Sequence, residues 1–108
     1  MTNKTMKNRF KFRAWDHTNL HIADFNRYGK PEDFWMMALS HGWDIMQCTG
    51  LKDKNGKLIY EGDIVYLAGQ GLCEIEFPFE NLYQAYPEGD IGRIKGNIYE
   101  NPELKEIK

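Results

Sequence analysis

The sequence predicts a mainly β domain with a small α content, and three features carry that prediction. Apolar residues recur at every second position in several short runs. Reverse-turn signals rich in Gly, Asn and Asp separate those runs. Six Phe, six Tyr and three Trp among 108 residues supply side chains large enough for a few of them to fill a small β core. The length is that of one domain over residues 1–108, able to bury a core without disulfides or metal.

Residues 1–8 carry little pattern and are expected to form a frayed tail. From Arg9 the period of two is clear. Phe10, Phe12 and Ala14 alternate with Arg9, Lys11 and Arg13, predicting a strand with one apolar and one basic face, the basic face outward. Asp16 to Asn19 form a turn cluster, after which Leu20, Ile22 and Phe25 fit a returning strand that completes a hairpin. Pro31, Glu32 and Asp33 have the composition of a helix start, with His41 in the last turn and Gly42 as the stop. Residues 32–41 therefore fit a short helix, although the run Phe34-Trp35-Met36-Met37 fits a buried strand equally well. Ile45 to Thr49 reads as a strand closed by Gly50.

Asn55-Gly56 marks a tight reversal, because both residues tolerate positive φ. Ile64 to Leu67 is the next strand, and Gly69-Gln70-Gly71 offers a turn into Leu72 to Phe77. There Cys73, Ile75 and Phe77 are expected to face the core, with Glu74 and Glu76 toward solvent. Pro78 and Pro87 bound an aromatic stretch, Phe79, Leu82, Tyr83 and Tyr86, placed as a loop or irregular edge because Pro cannot donate to a central ladder. Residues 91–99 form the final strand, ended by Asn101-Pro102, and Glu103 to Lys108 form a charged tail whose last residues, 105–108, are flexible.

Composition excludes several functions. The net charge is −2 and the sequence pI about 5.9, so the surplus of Lys and Arg that sequence-independent duplex binding requires is missing. No run approaches the roughly 18 apolar residues of a membrane span, and Met1 to Lys11 contains no apolar signal core. The expectation is a cytoplasmic chain with no membrane partner. Cys48 and Cys73 fit a reducing compartment and are expected as small buried hydrophobes rather than a disulfide. His17 and His21 stand four apart near Asp16 and Asp24, but on turn and strand rather than on a helix, so the spacing does not build a metal site. No nucleophile motif flanks either cysteine, and no phosphate-cradling glycine loop or GxSxG elbow occurs. The pairs Glu61/Asp63 and Glu74/Glu76 read as a solvated face and, for Asp63, as a cap on turn amides. The expectation is no catalytic residue, no metal and no cofactor.

Three segments form a recognisable set: Lys11-Phe12-Arg13-Ala14-Trp15-Asp16, the block from Ile45 to Val65 containing Tyr60-Glu61-Gly62-Asp63, and Gly96-Asn97-Ile98-Tyr99-Glu100-Asn101-Pro102-Glu103-Leu104. Together they resemble the YopX family of small proteins encoded by phages and prophages. Cys48 stands where that family usually has an aromatic, and regions 17–43 and 68–92 are particular to this chain. The resemblance implies a mainly β fold with an SH3-like barrel portion, a phage or prophage origin, residence in a bacterial host cell and self-association. It implies no catalytic residue or cofactor. Function is then expected to be recognition: a non-enzymatic module that binds a host or phage protein and itself, with Trp35, Trp43, Tyr83 and Tyr86 as candidate interface aromatics. The alternative is a single-stranded nucleic-acid binder using Arg9, Lys11, Arg13 and Trp15.

Overall fold

Two antiparallel sheets, the first including an N-terminal hairpin that a helix separates in sequence from its other two strands, make up most of this computed structural model, which describes residues 11–22 and 31–106. The expected tail over residues 1–8, together with Arg9, Phe10, Asp24, Phe25 and the last two residues of the expected flexible end, 107–108, lies outside the described residues.

Strands β1 (Phe12–Trp15) and β2 (Leu20–Ile22) form the expected hairpin. Its turn is set by Asp16, whose carboxylate accepts the backbone N–H groups of Thr18 at 2.7 Å and Asn19 at 2.6 Å, the local bonding that makes Asp a turn residue. Helix α1 (Pro31–Ser40) resolves the ambiguity of residues 32–41. Phe34 and Ala38, four apart, are both buried while Met36 is 64% exposed, a helical face rather than a strand alternation. Gly42, at φ 68°, ends it as predicted. Its N–H donates to the Leu39 carbonyl and that of Trp43 to the Ala38 carbonyl, the paired bonds that a left-handed residue after a helix makes available.

Strand β3 (Asp44–Lys52) pairs with β1 and with β4 (Leu58–Tyr60), giving the sheet order β2-β1-β3-β4. It does not stop at Gly50, as the sequence predicts, but bulges there: Cys48 faces Tyr60 while Lys52 faces Leu58, so β3 spends two more residues than β4. Gly50 absorbs the irregularity at φ 87°. Thr49 Oγ1 donates to the Ile59 carbonyl and accepts the Leu51 N–H, leaving the bulge's polar groups satisfied. The Asn55-Gly56 reversal forms as expected. Asp53 Oδ1 accepts the N–H groups of Asn55 and Lys57, and Oδ2 accepts that of Ile94 at 3.0 Å, which fastens the turn to the last strand.

The second sheet contains β5 (Asp63–Leu67), β6 (Gly71–Glu74) and β7 (Ile91–Asn97) in the order β6-β5-β7. The strand expected through Phe77 ends at Glu74. Ile75 is still buried and Cys73 packs against the core, but Phe77 is 68% exposed. The aromatic stretch predicted as loop is helical instead: α2 (Glu80–Ala85) runs into a 3-10 turn over Tyr86–Glu88. Phe79, Leu82, Tyr83 and Tyr86 have the i, i+3, i+4, i+7 spacing of an amphipathic helix, and the two prolines lie outside α2. Phe79, Leu82 and Ala85 join Leu51, Ile59, Val65, Leu67 and Ile75 in the hydrophobic core. Two further boundaries differ. β7 ends at Asn97, with Ile98 and Tyr99 in a turn, and the first part of the expected charged tail forms a 3-10 segment, Pro102–Glu106. Both cysteines are free thiols, Cys48 buried and Cys73 half-buried.

The largest departure concerns Arg13. The alternation places it on an outward basic face at a sheet edge, yet it is 5% exposed. β1 is an inner strand, and the turn between β4 and β5 covers its second face. Arg13 Nη2 reaches Asp63 Oδ1 at 2.6 Å, and Cζ lies 4.7 Å from the centre of the Tyr60 ring. Asp63 Oδ2 accepts the Tyr60 N–H at 2.8 Å, the expected turn cap. Burial pushes the Asp63 carboxyl up, against the pull of the Arg13 charge and the Tyr60 N–H.

Removing either partner strands a buried charge, so Arg13→Met and Asp63→Asn are each expected to cost about 3–5 kcal/mol in urea unfolding. The double variant is expected to lose far less than the sum of the two; additive losses would show that the pair is uncoupled.

Candidate functional site

Three features of the described surface stand out. The first is the outer face of α1. Phe34 and Ala38 anchor the helix, leaving Met36, Met37 and Leu39 exposed, Leu39 to 69%. Residues 34–43 contain no Asp, Glu, Lys or Arg, in a chain with 28% charged residues. Apolar side chains on ten uncharged residues constitute a patch rather than scattered exposure.

The predicted interface aromatics lie at two places in the sequence and serve mainly inside the fold. Trp35 is half-buried against Phe12, with ring centres 5.0 Å apart, and Trp43 is half-buried with His21 stacked on it at 4.6 Å. Tyr83 packs edge-on against Phe79 and donates its hydroxyl to the Thr49 carbonyl at 2.7 Å. Tyr86 alone of the four is mostly exposed. The residues missed from the sequence are the methionines and Leu39, because a helix-or-strand ambiguity hides which side each occupies.

The second feature surrounds Trp43. His21 Nε2 lies 2.6 Å from Asp16 Oδ2, His41 is 6.0 Å from the Trp43 ring centre to centre, and His17 Nε2 donates to the Gly42 carbonyl at 3.1 Å. All three histidines of the chain thus gather where the β1–β2 turn meets the end of α1. The hydrogen bond from His21, and then the backbone N–H of Asn19, pull the Asp16 carboxyl down to about 2.

The third feature is a pair of clefts on either side of the Glu61-Gly62-Asp63 turn. One, of about 340 Å³, is bounded by Glu61, Glu74, Glu76, Phe77 and Tyr99. The other, of about 170 Å³, is lined by Arg13, Lys57, Asp63, Lys95 and Asn101 among others. Of the predicted nucleic-acid patch, Arg13 is taken by Asp63, Trp15 is half-buried against Tyr99 with ring centres 5.8 Å apart, and Lys11 is exposed. Among the described residues no three His, Cys, Asp or Glu side chains are grouped to hold a metal ion, and no helix is long and apolar enough to cross a membrane.

A family profile described as YopX protein matches residues 11–84. The chain belongs to the YopX family. A solved structure, the crystal structure of protein EF1440 from Enterococcus faecalis, is similar to this YopX chain at 27% identity, with a TM-score of 0.46, over 87% of this chain and 96% of that one. No curated protein matches significantly. Two of the segments that carry the YopX resemblance meet in the fold: Arg13 belongs to the first and Asp63 to the second.

The pH behaviour of the His21 contact is testable. A carboxyl held below its unfolded value of about 3.9 stabilises the fold above that pH and loses the contribution as pH falls toward the folded value. Asp16 is therefore expected to hold the β1–β2 turn down to about pH 2. His21→Phe, which keeps a ring against Trp43, is expected to raise the Asp16 midpoint in a carboxyl NMR titration. An unchanged midpoint would show that the His21 contact does not form in solution.

Proposed function

We propose that this YopX chain is a non-enzymatic interaction module of phage or prophage origin, acting in a bacterial cell, that self-associates through the outer face of α1 and in that form recognises a protein partner. The observation that carries the reading is the exposure of Met36, Met37 and Leu39 on a stretch free of formal charge. Interface centres are depleted of charged residues and enriched in Met and aromatics. A neutral patch is also compatible with itself, since a two-fold contact brings each residue near its own copy or a close neighbour, where any charge would meet a like charge. Methionine adapts its shape to what it meets. Trp35 and Trp43, half-buried on and just after the same helix, extend the apolar surface at its base.

The SH3-like expectation fits this reading, because small β scaffolds commonly display one recognition face while the sheets hold it rigid. Nucleic-acid binding has less to support it: Arg13 and Trp15 are engaged within the fold, leaving Lys11 as the free cation of the described patch.

Light scattering and sedimentation across a concentration series test the proposal. The wild type is expected to form a dimer whose apparent mass falls on dilution, with a dissociation constant on the order of micromolar. Leu39→Lys, at an exposed position, is expected to weaken association by at least about tenfold while leaving the unfolding of the dilute monomer unchanged. A wild-type monomer at about 100 µM, or an unaffected variant, would reject the α1 interface.

A further inference from the structure

Arg13 is committed on only part of its guanidinium. Nη2 donates to Asp63 Oδ1 at 2.6 Å and lies 3.5 Å from the Glu61 carbonyl, while Nε faces Met46 Sδ at 3.4 Å. Nη1 has no acceptor among the described residues. Yet among those residues no fully buried side-chain nitrogen or oxygen lacks a partner. Nη1 must therefore keep contact with solvent, although the residue is 5% exposed. Arg13 lines a 170 Å³ cleft between the β3–β4 turn, β7 and the turn after it.

We propose that this cleft binds a phosphate-type oxyanion, with Arg13 Nη1 at its floor and Lys57 and Lys95 at its mouth. Both lysines line the cleft, both are exposed, and neither makes an ion pair with a described residue. Asn101 accepts the Asn97 N–H through Oδ1 at 3.3 Å, leaving its amide nitrogen as a further donor. Gly96 keeps this wall close, since a Cβ there would collide with the Asn101 side chain.

Two carboxylates share the lining, and both are already engaged. Asp63 has Oδ1 on Arg13 and Oδ2 on the Tyr60 N–H, and Glu100 Oε1 accepts the Asn97 side-chain amide at 2.7 Å. The three cations exceed the two carboxylates by one charge, and each carboxylate already accepts a bond from a neighbour while neither lysine makes an ion pair with a described residue. A guanidinium edge presents planar N–H donors that match oxyanion geometry, and lysine adds mobile point charges. The volume is several times the roughly 30 Å³ share of one water, so an oxyanion fits with part of its hydration.

Backbone amide NMR of the full chain, titrated with inorganic phosphate at fixed pH and ionic strength, tests the assignment, with chloride and acetate as parallel arms. Phosphate is expected to give saturable shifts centred on Gly96, Asn97 and Asn101, with a dissociation constant on the order of millimolar. The double variant Lys57→Ala, Lys95→Ala alters only exposed side chains, and an otherwise unchanged spectrum confirms its fold. It is expected to bind about tenfold more weakly. Non-saturating shifts shared with chloride, or saturation untouched by the double variant, would overturn the site. An equal response to acetate would overturn the phosphate assignment. None of these readings depends on α1, so loss of self-association leaves them intact.

Discussion

One buried ion pair fixes how the two sheets of this protein meet. Arg13 lies on the inner strand of the first sheet, and Asp63 opens the first strand of the second, 50 residues later. Between them lies the Tyr60-Glu61-Gly62-Asp63 turn, where the chain leaves one sheet and enters the other. The backbone supports the same junction. The Gly62 N–H donates to the Ile75 carbonyl, its own carbonyl accepts the Ile98 N–H, and the Glu61 N–H donates to Gln47. Gly62 itself holds φ 89°, with the Tyr99 ring 3.3 Å from where a Cβ would stand, so a side chain there is opposed by backbone and by packing. Desolvating two charges costs several kcal/mol each, and their attraction offsets that only when geometry is good and every lone pair is filled. Both oxygens of Asp63 accept a hydrogen bond here. The value of such a pair lies in its arrangement: an Arg–Asp contact leaves little freedom over which residue of β1 faces the turn, whereas apolar packing tolerates a slip.

This interaction was the hardest to read from the chain. The alternation of Arg9, Lys11 and Arg13 with Phe10, Phe12 and Ala14 indicates extended backbone, which β1 adopts from Phe12 onward, but it assigns faces on the assumption that one side is wet. Whether a second layer covers that side depends on a contact spanning 50 positions, which no local period records. The Asn55-Gly56 reversal and the β5–β6 hairpin were legible because their cause is local, residing in residues that tolerate positive φ. Helix α2 was legible in principle: the spacing of Phe79, Leu82, Tyr83 and Tyr86 is helical, and the flanking prolines drew the reading toward loop although both lie outside the helix. A glycine marks a bulge and an ending with the same conformational freedom, so the pattern around Gly50 does not separate the two.

The aromatics show why composition points toward recognition without locating it. Trp and Tyr are enriched at interfaces because they bring large area with few rotatable bonds, and the same economy makes them core material in a domain this small. Trp35, Trp43 and Tyr83 are each drawn at least partly into the fold. The exposed apolar surface falls instead to Met36, Met37 and Leu39, on a helix of ten residues, shorter than an isolated helix needs for stability in water. Its stability must come from tertiary contact. Phe34 and Ala38 supply the inner contact, and the Gly42 cap supplies the end. The outer face exposes apolar area to water, the area that the proposed self-association would cover.

The turn that joins the sheets also divides the surface by charge. Glu61 lines the cleft shared with Glu74, Glu76 and Phe77, while Asp63, two residues on, lines the one shared with Arg13, Lys57 and Lys95. Arg13 Nη2 approaches both the Asp63 carboxylate and the Glu61 carbonyl, so one guanidinium braces the wall between an acidic groove and a basic one. Lys57 and Lys95 are exposed, so water weakens their mutual repulsion, and the buried arginine beside them is paired with Asp63. That three cations line this cleft against two carboxylates, each of which accepts a bond from a neighbour while neither lysine makes an ion pair with a described residue, is the physical ground for reading it as a site rather than as packing.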